Sequence, residues 1–319
     1  MFTRQLPSIA RIALLASAMG LLATACGDAT TGPVPSPSFS VGAEPTLPAP
    51  KLKLIPTVAI AEAKGWPDGG KPQSADGTVV TAFAAGLSHP RWLYVLPNGD
   101  VLVAETNAPS KPEDAKGIKG SVMKKLQARA GAAAPSANRI VLLRDANGDG
   151  VAETKTVFLD NLNSPFGMAL VGTTLYVANT NGVVSVPYKD GDMRITAKPV
   201  QVADLPAGPI NHHWTKNIIA SADGAHLYAT VGSNSNAGEN GLQEEDGRAA
   251  IWEIDLKSGA KRLFATGLRN PNGMAWDAST GTLWTVANER DELGNDLVPD
   301  YLTSVKDGAF YGFPYSYYG

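Results

Sequence analysis

The sequence predicts an all-β protein, a β-propeller assembled from four-stranded blades. Two observations carry that prediction. A unit made of a turn, an apolar strand, a glycine-containing hairpin and a second strand recurs four times. It reads SHPRWLYVLPNGDVLVAET from Ser88, SPFGMALVGTTLYVANT from Ser164, NIIASADGAHLYATVGS from Asn217 and NPNGMAWDASTGTLWTVANE from Asn270. The equivalent second-strand leucines, Leu102, Leu175, Leu227 and Leu283, are 73, 52 and 56 residues apart. A period near 50 residues with short alternating strands is the mark of propeller blades. The composition agrees: 33 glycines, 23 prolines and only 18% charged residues suit many short strands joined by tight turns.

The N-terminus precedes that architecture. Met1 to Ala25 has a basic start (Arg4, Arg11), an apolar run from Ile12 to Leu22 and a small-residue exit before Cys26, which reads as an export signal. Cys26 directly after Ala-Thr-Ala is similar to a bacterial lipobox, in which the thiol is lipidated. The leucine sits one place early for that pattern, and an ordinary secretory signal with a stray cysteine is the alternative. The first reading places the protein on the periplasmic face of a membrane, outer in a two-membrane bacterium, held by lipid alone. Residues 26–75 begin with a Gly/Pro/Ser/Thr/Ala-rich stretch that cannot bury enough surface to fold and reads as a tether. The propeller domain then spans 76–319.

Cys26 is the only cysteine, which excludes an internal disulfide framework. A net charge of −3 with both signs interspersed leaves no nucleic-acid footprint. The long first gap in the repeat is accounted for by an insertion at 107–138, expected to be a surface excursion with helix at Ser121 to Arg129. With about four blades present, the chain stops at Tyr315-Ser316-Tyr317-Tyr318-Gly319 without a closing strand, and the expectation is a C-terminally truncated propeller.

Strand ends on a rigid β-scaffold are where binding residues collect. Asp145-Ala-Asn147-Gly-Asp149-Gly150 through Glu153 has alternating oxygen ligands between two strands; it reads either as a hairpin turn or as a structural calcium loop, with Thr156 where an EF-hand carries its closing carboxylate. Asn211-His212-His213-Trp214 offers an imidazole suited to general-base work. On the residues alone the plainer reading is one exposed histidine and one stacked on Trp214. Lys216 and Asn217 could bind an anion. Arg269-Asn270 opens one strand; Asn288-Glu289-Arg290-Asp291 through Asp296 follows the next and is rich in oxygens suited to a hard cation, or is a solvated acidic loop. No GxSxG elbow, P-loop or dinucleotide GxGxxG follows a strand, so hydrolase and nicotinamide chemistry lack positive support.

In HHWTKNIIASADG, TVGSNSNAGENG, RAAIWEID, GLRNPNGMAW and NERDELGNDLVPDYLTSVKDGAFYGFPYSYYG the chain resembles the quinoprotein glucose/sorbosone dehydrogenase family, and its sorbosone branch in the last of these. The resemblance runs from about Phe83 to Gly319. It implies a six-bladed propeller, of which about four blades are here, that uses pyrroloquinoline quinone (PQQ) and calcium to oxidise a sugar or sugar-derived aldehyde. By the same resemblance His213 is the catalytic base; Arg269, Asn270 and Lys216 bind the cofactor; and Arg290, Asp291 and Asp296 hold calcium. Ser233 stands where the glucose branch has an acid, a departure that bears on substrate orientation. The family takes further PQQ contacts from its last blades, so the resemblance implies that part of the site is missing from this chain. The partners implied are a small sugar and an electron acceptor of unknown identity. Two other readings stay open: a non-catalytic propeller lipoprotein that binds a protein or glycan, and a calcium-dependent sugar lactonase drawing on Glu105, Asn179 and Asn288.

Overall fold

The computed structural model describes residues 46–52, 61–110, 117–132 and 134–317. Residues Leu47–Gly319 form one compact unit and Met1–Thr46 another, of which only Thr46 is described. The export signal, Cys26 and the first part of the tether lie outside the described residues.

Four antiparallel meanders follow one another along the chain as successive blades. The first holds β1 (Pro90–Val95), β2 (Val101–Glu105), β3 (Arg139–Arg144) and β4 (Thr154–Leu159). The second holds β5 (Met168–Val171), β6 (Thr174–Asn179), β7 (Gly182–Pro187) and β8 (Val200–Asp204). The third holds β9 (Ile218–Ala220), β10 (His226–Val231), β11 (Ala250–Asp255) and β12 (Lys261–Thr266). The fourth holds β13 (Asn270–Trp276), β14 (Leu283–Asn288) and β15 (Tyr301–Val305). In each, one strand pairs with the next in sequence order, as hairpins require.

The four repeat leucines fall on β2, β6, β10 and β14, all at most 2% exposed, so the repeat read from the sequence is the blade period. The middle strands β2 and β3 are apolar on both faces because sheet one packs on sheet two on one side and on the Phe83–Leu87 segment on the other. One cluster joins the first two sheets through Leu102, Ile140, Leu175 and Val177, reinforced by Trp92 against Phe166 at 5.2 Å. A second joins sheets two and three (Val183, Leu227, Ile254), and a third joins sheets three and four (Tyr228, Ile251, Leu283). The other side of sheet one is covered by Phe83, Ala84 and Leu87, which pack on Val103 and Val141. The outer face of sheet four presents Trp284, Val286 and Leu302 to solvent.

Two details depart from expectation. Helix α1 spans Gly117–Arg129, starting four residues earlier than the sequence implied. Sheet four has three strands among the described residues, not four. After the turn at Lys306–Gly308, residues 309–313 run beside β12 of the third sheet, with a parallel bridge between Thr266 and Phe310 and Phe313 N donating to Gly267 O at 3.0 Å.

Candidate active site

The charged and amide residues of interest sit at one set of strand ends: just before β9, between β10 and β11, at the start of β13 and after β14. His213 lies three residues ahead of the fully buried Lys216, whose main-chain oxygen accepts from Gly167 N and so ties this entry to the second blade. From the strand pair β10–β11 comes Gly232-Ser233-Asn234. Ser233 N donates to Arg269 O at 2.7 Å, which fixes the third blade's loop to the start of the fourth.

Gly232 is the close-approach point of the site. A Cβ there would overlap both Asn270 Oδ1 and His213 Cβ, so only glycine lets the two side chains share this wall. His213 Nδ1 stands 2.8 Å from Ser233 O and 2.9 Å from Ser233 Oγ, and that hydroxyl donates to Ser235 O at 2.7 Å. A main-chain oxygen only accepts, so this contact assigns the ring proton to Nδ1 and leaves the Nε2 lone pair unused. Burial, then the positive charge of Arg269, with smaller contributions from His212 and Lys216, lowers the His213 pKa to about 4 against the opposing Ser233 bond. The imidazole is neutral across the physiological range.

Lys216 is 0% exposed, and its Nζ has no hydrogen-bond partner. Burial and then the nearby Arg248 lower its pKa to about 7. Arg248 itself is held by Asn211 Oδ1 at 2.9 Å and by Ala207 O. Trp214 packs edge-on against Phe166 and under Arg91.

Arg269 is 4% exposed and acts as a clamp. Its Nε donates to Asn236 O at 2.8 Å, one terminal nitrogen to Glu289 O at 2.6 Å and Asn288 O at 3.3 Å, and the other to Asn236 Oδ1 at 2.8 Å. Asp291 reaches the same guanidinium at 3.5 Å, and its N–H donates to Asn236 Oδ1. Asn236, which sequence reasoning missed, is therefore the residue that joins the third blade's loop to the Arg290–Asp291 loop. Its only sequence signal was membership of TVGSNSNAGENG. Gly232 and Glu245 were missed too; Glu245 accepts from Asn234 N at 2.8 Å and from Ser235 Oγ and so braces the strand behind His213.

The structure brings His213, Ser233, Lys216, Arg269 and Asn270 into one cluster, with Arg290 and Asp291 joined to it through Asn236 and Arg269. Asp296 points elsewhere and pairs with Lys51 at 3.0 Å. Glu105 is closed off by Arg139 at 2.5 Å and Ser88 N at 2.7 Å, Asn179 Oδ1 accepts from Asn163 N at 3.2 Å and Asn288 is held by Asp300, so each of the three lactonase candidates has a partner within the protein. The first-blade loop does converge: one oxygen each of Asp145, Asp149 and Glu153 lies within 4.8 Å of the others. Asp145 accepts from Gly148 N and Gly150 N, so turn bonding alone accounts for its shape.

A family model described as TrAA12-like matches residues 136–315, more than half of the chain. The chain belongs to the TrAA12-like family. Among solved structures, a Trichoderma reesei Carbohydrate-Active Enzymes Family AA12 protein matches at TM-score 0.59 and 19% identity, over 82% of this chain and 62% of that one. The holo PQQ domain of a Coprinopsis cinerea pyranose dehydrogenase matches at TM-score 0.55 and 20% identity, over 73% of this chain and 55% of that one. The PQQ-bound aldose sugar dehydrogenase of Streptomyces coelicolor matches at TM-score 0.50 and 20% identity, over 75% and 66%. These likenesses establish a shared propeller fold. The TrAA12-like chain spans only 55–62% of the first of these structures. The comparison with curated proteins gave no match.

PQQ, a quinone carrying three carboxylates, fits the donors this TrAA12-like chain leaves over. The buried donors Lys216 Nζ and Arg290 Nε have no partner within the protein, the acceptor Asn270 Oδ1 has none either, and Arg248 and Arg269 add positive charge close by. Calcium fits less well. Among the described residues the three-carboxylate cluster is the first-blade loop, not 290–296. The main-chain oxygens of Arg290 and Asp291 already accept from Val298 N and Asn236 Nδ2.

Proposed function

We propose that the chain is an oxidoreductase that uses PQQ to oxidise a sugar or sugar-derived aldehyde of the sorbosone or aldose type, with His213 as general base. The observation that carries this reading is the neutral His213 ring with its Nδ1 proton committed to Ser233 O and its Nε2 free. Family membership and the fold shared with PQQ-holding sugar dehydrogenases support it.

Lys216 Nζ and Arg290 Nε would donate to the cofactor's oxygens, with Asn270 beside them. When bound, PQQ supplies the acceptor for the hydride that leaves the sugar carbon. His213 takes the hydroxyl proton at Nε2; Ser233 O holds the ring in the tautomer that can do so and stabilises the imidazolium that results. Arg269 keeps the walls of the site in register and places a fixed positive charge beside His213. No step above needs calcium, and the main-chain oxygens of Arg290 and Asp291 that the resemblance assigns to it already accept from Val298 N and Asn236 Nδ2.

We place the protein outside the cytoplasm, anchored through a lipidated Cys26, delivering electrons to an acceptor still to be named. Metabolic labelling with a fatty acid should mark wild type and not Cys26→Ser; equal labelling would sink that part. For the chemistry, the chain is incubated with PQQ with and without Ca²⁺ and offered a sugar panel and a reducible dye. Sugar-dependent dye reduction that His213→Ala abolishes is the expected result. Cofactor uptake without any sugar-dependent reduction would overturn the activity.

A further inference from the structure

Residues 211–217, the entry to β9, carry both His213 and Lys216, and a buried relay of side chains holds that entry against the second blade. Thr180, in the turn between β6 and β7, donates its hydroxyl to Trp214 O at 2.9 Å. Asn211 Nδ2 donates to Thr180 Oγ1 at 2.9 Å, and Arg248 donates to Asn211 Oδ1 at 2.9 Å. The direction of the relay is fixed by its ends. A guanidinium only donates and a main-chain oxygen only accepts, so the Asn211 amide must turn its oxygen to Arg248 and its nitrogen to Thr180. All four residues are buried, with Thr180 and Asn211 each 4% exposed. The relay thus crosses from the β10–β11 connection, through the entry loop, to the second blade.

A turn threonine ordinarily bonds within its own turn; the hydroxyl of Thr180 instead reaches an oxygen 34 residues away, next to the base. On one side of the His213 imidazole, Nδ1 meets Ser233 O of the third blade at 2.8 Å. On the other, the peptide oxygen of the next residue, Trp214, is the one that Thr180 holds. Further along, Lys216 O accepts from Gly167 N at 3.0 Å. The ring therefore hangs from a backbone fixed to the second blade, while its proton is committed to an oxygen of the third. A hydrogen bond weakens steeply as its angle opens, and small misplacements of a reacting group cost disproportionately in rate. We infer that Asn211 and Thr180 are positioning residues for the general base: their relay from Arg248 holds the Trp214 peptide so that His213 Nδ1 stays on Ser233 O and Nε2 is kept for the substrate proton. The task given to the base rests on the sugar-oxidation reading above.

The test reads the histidine ring directly, in the chain without cofactor or sugar. Ring-nitrogen resonances of His213, assigned by their loss in His213→Gln, are followed by NMR against pH in wild type, Thr180→Val, Thr180→Ala and Thr180→Ser. Wild type should titrate at about 4 with the proton of the neutral ring on Nδ1. The charges that act on this ring, those of Arg269, His212 and Lys216, are the same in every variant. Thr180→Val and Thr180→Ala should loosen the burial that lowers the pKa, so the titration moves up by about one pH unit or more and Nε2 takes a share of the proton. Thr180→Ser keeps the hydroxyl and should behave as wild type. After loading with PQQ, Thr180→Val should reduce the dye about tenfold more slowly or worse, with KM for the sugar unchanged and the acid limb moved up in parallel. An unchanged titration and tautomer in Thr180→Val and Thr180→Ala overturns the positioning role. Loss of the fold in both also overturns it, because the hydroxyl would then be a requirement of folding. The expected titrations with no sugar-dependent dye reduction even in wild type would leave the positioning of the ring standing and remove the oxidation reading.

Discussion

Replacing Lys216 with methionine should make the chain more stable. The ammonium is 0% exposed, its Nζ has no acceptor, and the positive charge of Arg248 acts on it. Burial lowers its pKa from 10.5 to about 7. At 1.36 kcal/mol per pKa unit, holding it charged inside the fold costs on the order of 4–5 kcal/mol below that pKa. The sign follows from proton counting. Between pH 7 and 10.5 the unfolded chain binds the proton that the folded chain has shed, so stability rises with pH across that window and the full cost is present below it. Lys216→Met keeps the volume and removes the charge, and such replacements return about 1–4 kcal/mol. Urea unfolding at pH 6 should therefore show the variant more stable by about 2–4 kcal/mol, with the gap closing by pH 10. The same variant should bind PQQ at least tenfold more weakly, since the free donor has gone. A variant less stable than wild type at pH 6, or one whose advantage does not shrink as pH rises, would show that Lys216 is satisfied within the protein and would remove it from the cofactor site.

Other expectations test separate parts of the arrangement. Gly232→Ala forces His213 and Asn270 apart and should cost about 1–3 kcal/mol by overpacking together with most of the dye reduction; near-normal stability and rate would contradict the shared wall. Arg269→Ala strips the donors from Asn236, Asn288 and Glu289 oxygens and should destabilise by about 3–5 kcal/mol, read by chemical denaturation, with Arg269→Lys recovering only part because it lacks the fork. Because His213 has a pKa of about 4, it should remain a competent base well below neutrality, so the acid limb of the rate profile belongs near pH 4 and not near 6.5; an acid limb at 6.5 would contradict the buried environment. Asp296→Asn should leave any calcium dependence of PQQ uptake unaltered, since Lys51 already engages that carboxylate.

The fold was legible because its signal is periodic. Leu102, Leu175, Leu227 and Leu283 repeat as the middle of each blade must, and every one is buried where the repeat put it. What the period did not reveal was the use of 309–313 on the edge of β12, because that choice depends on a turn and a parallel pairing with no alternation of its own. At the site, residues at strand ends were readable by type: His213, Lys216, Arg269 and Asn270 do cluster. Their partners were less so. Asn236 is one amide in a polar loop, and its importance comes from accepting Arg269 and bonding both ways with Asp291. Asp296 looked like part of an oxygen-rich loop, yet its partner Lys51 lies 245 residues away, a distance at which local composition says nothing.

The central claim is that a neutral His213 takes the proton when a sugar is oxidised. Its most direct test compares sugar-dependent dye reduction by wild type and His213→Ala after both have been loaded to the same PQQ content. A loss of about 10²-fold or more at unchanged cofactor uptake is the predicted result. Equal rates in the two proteins would contradict the account.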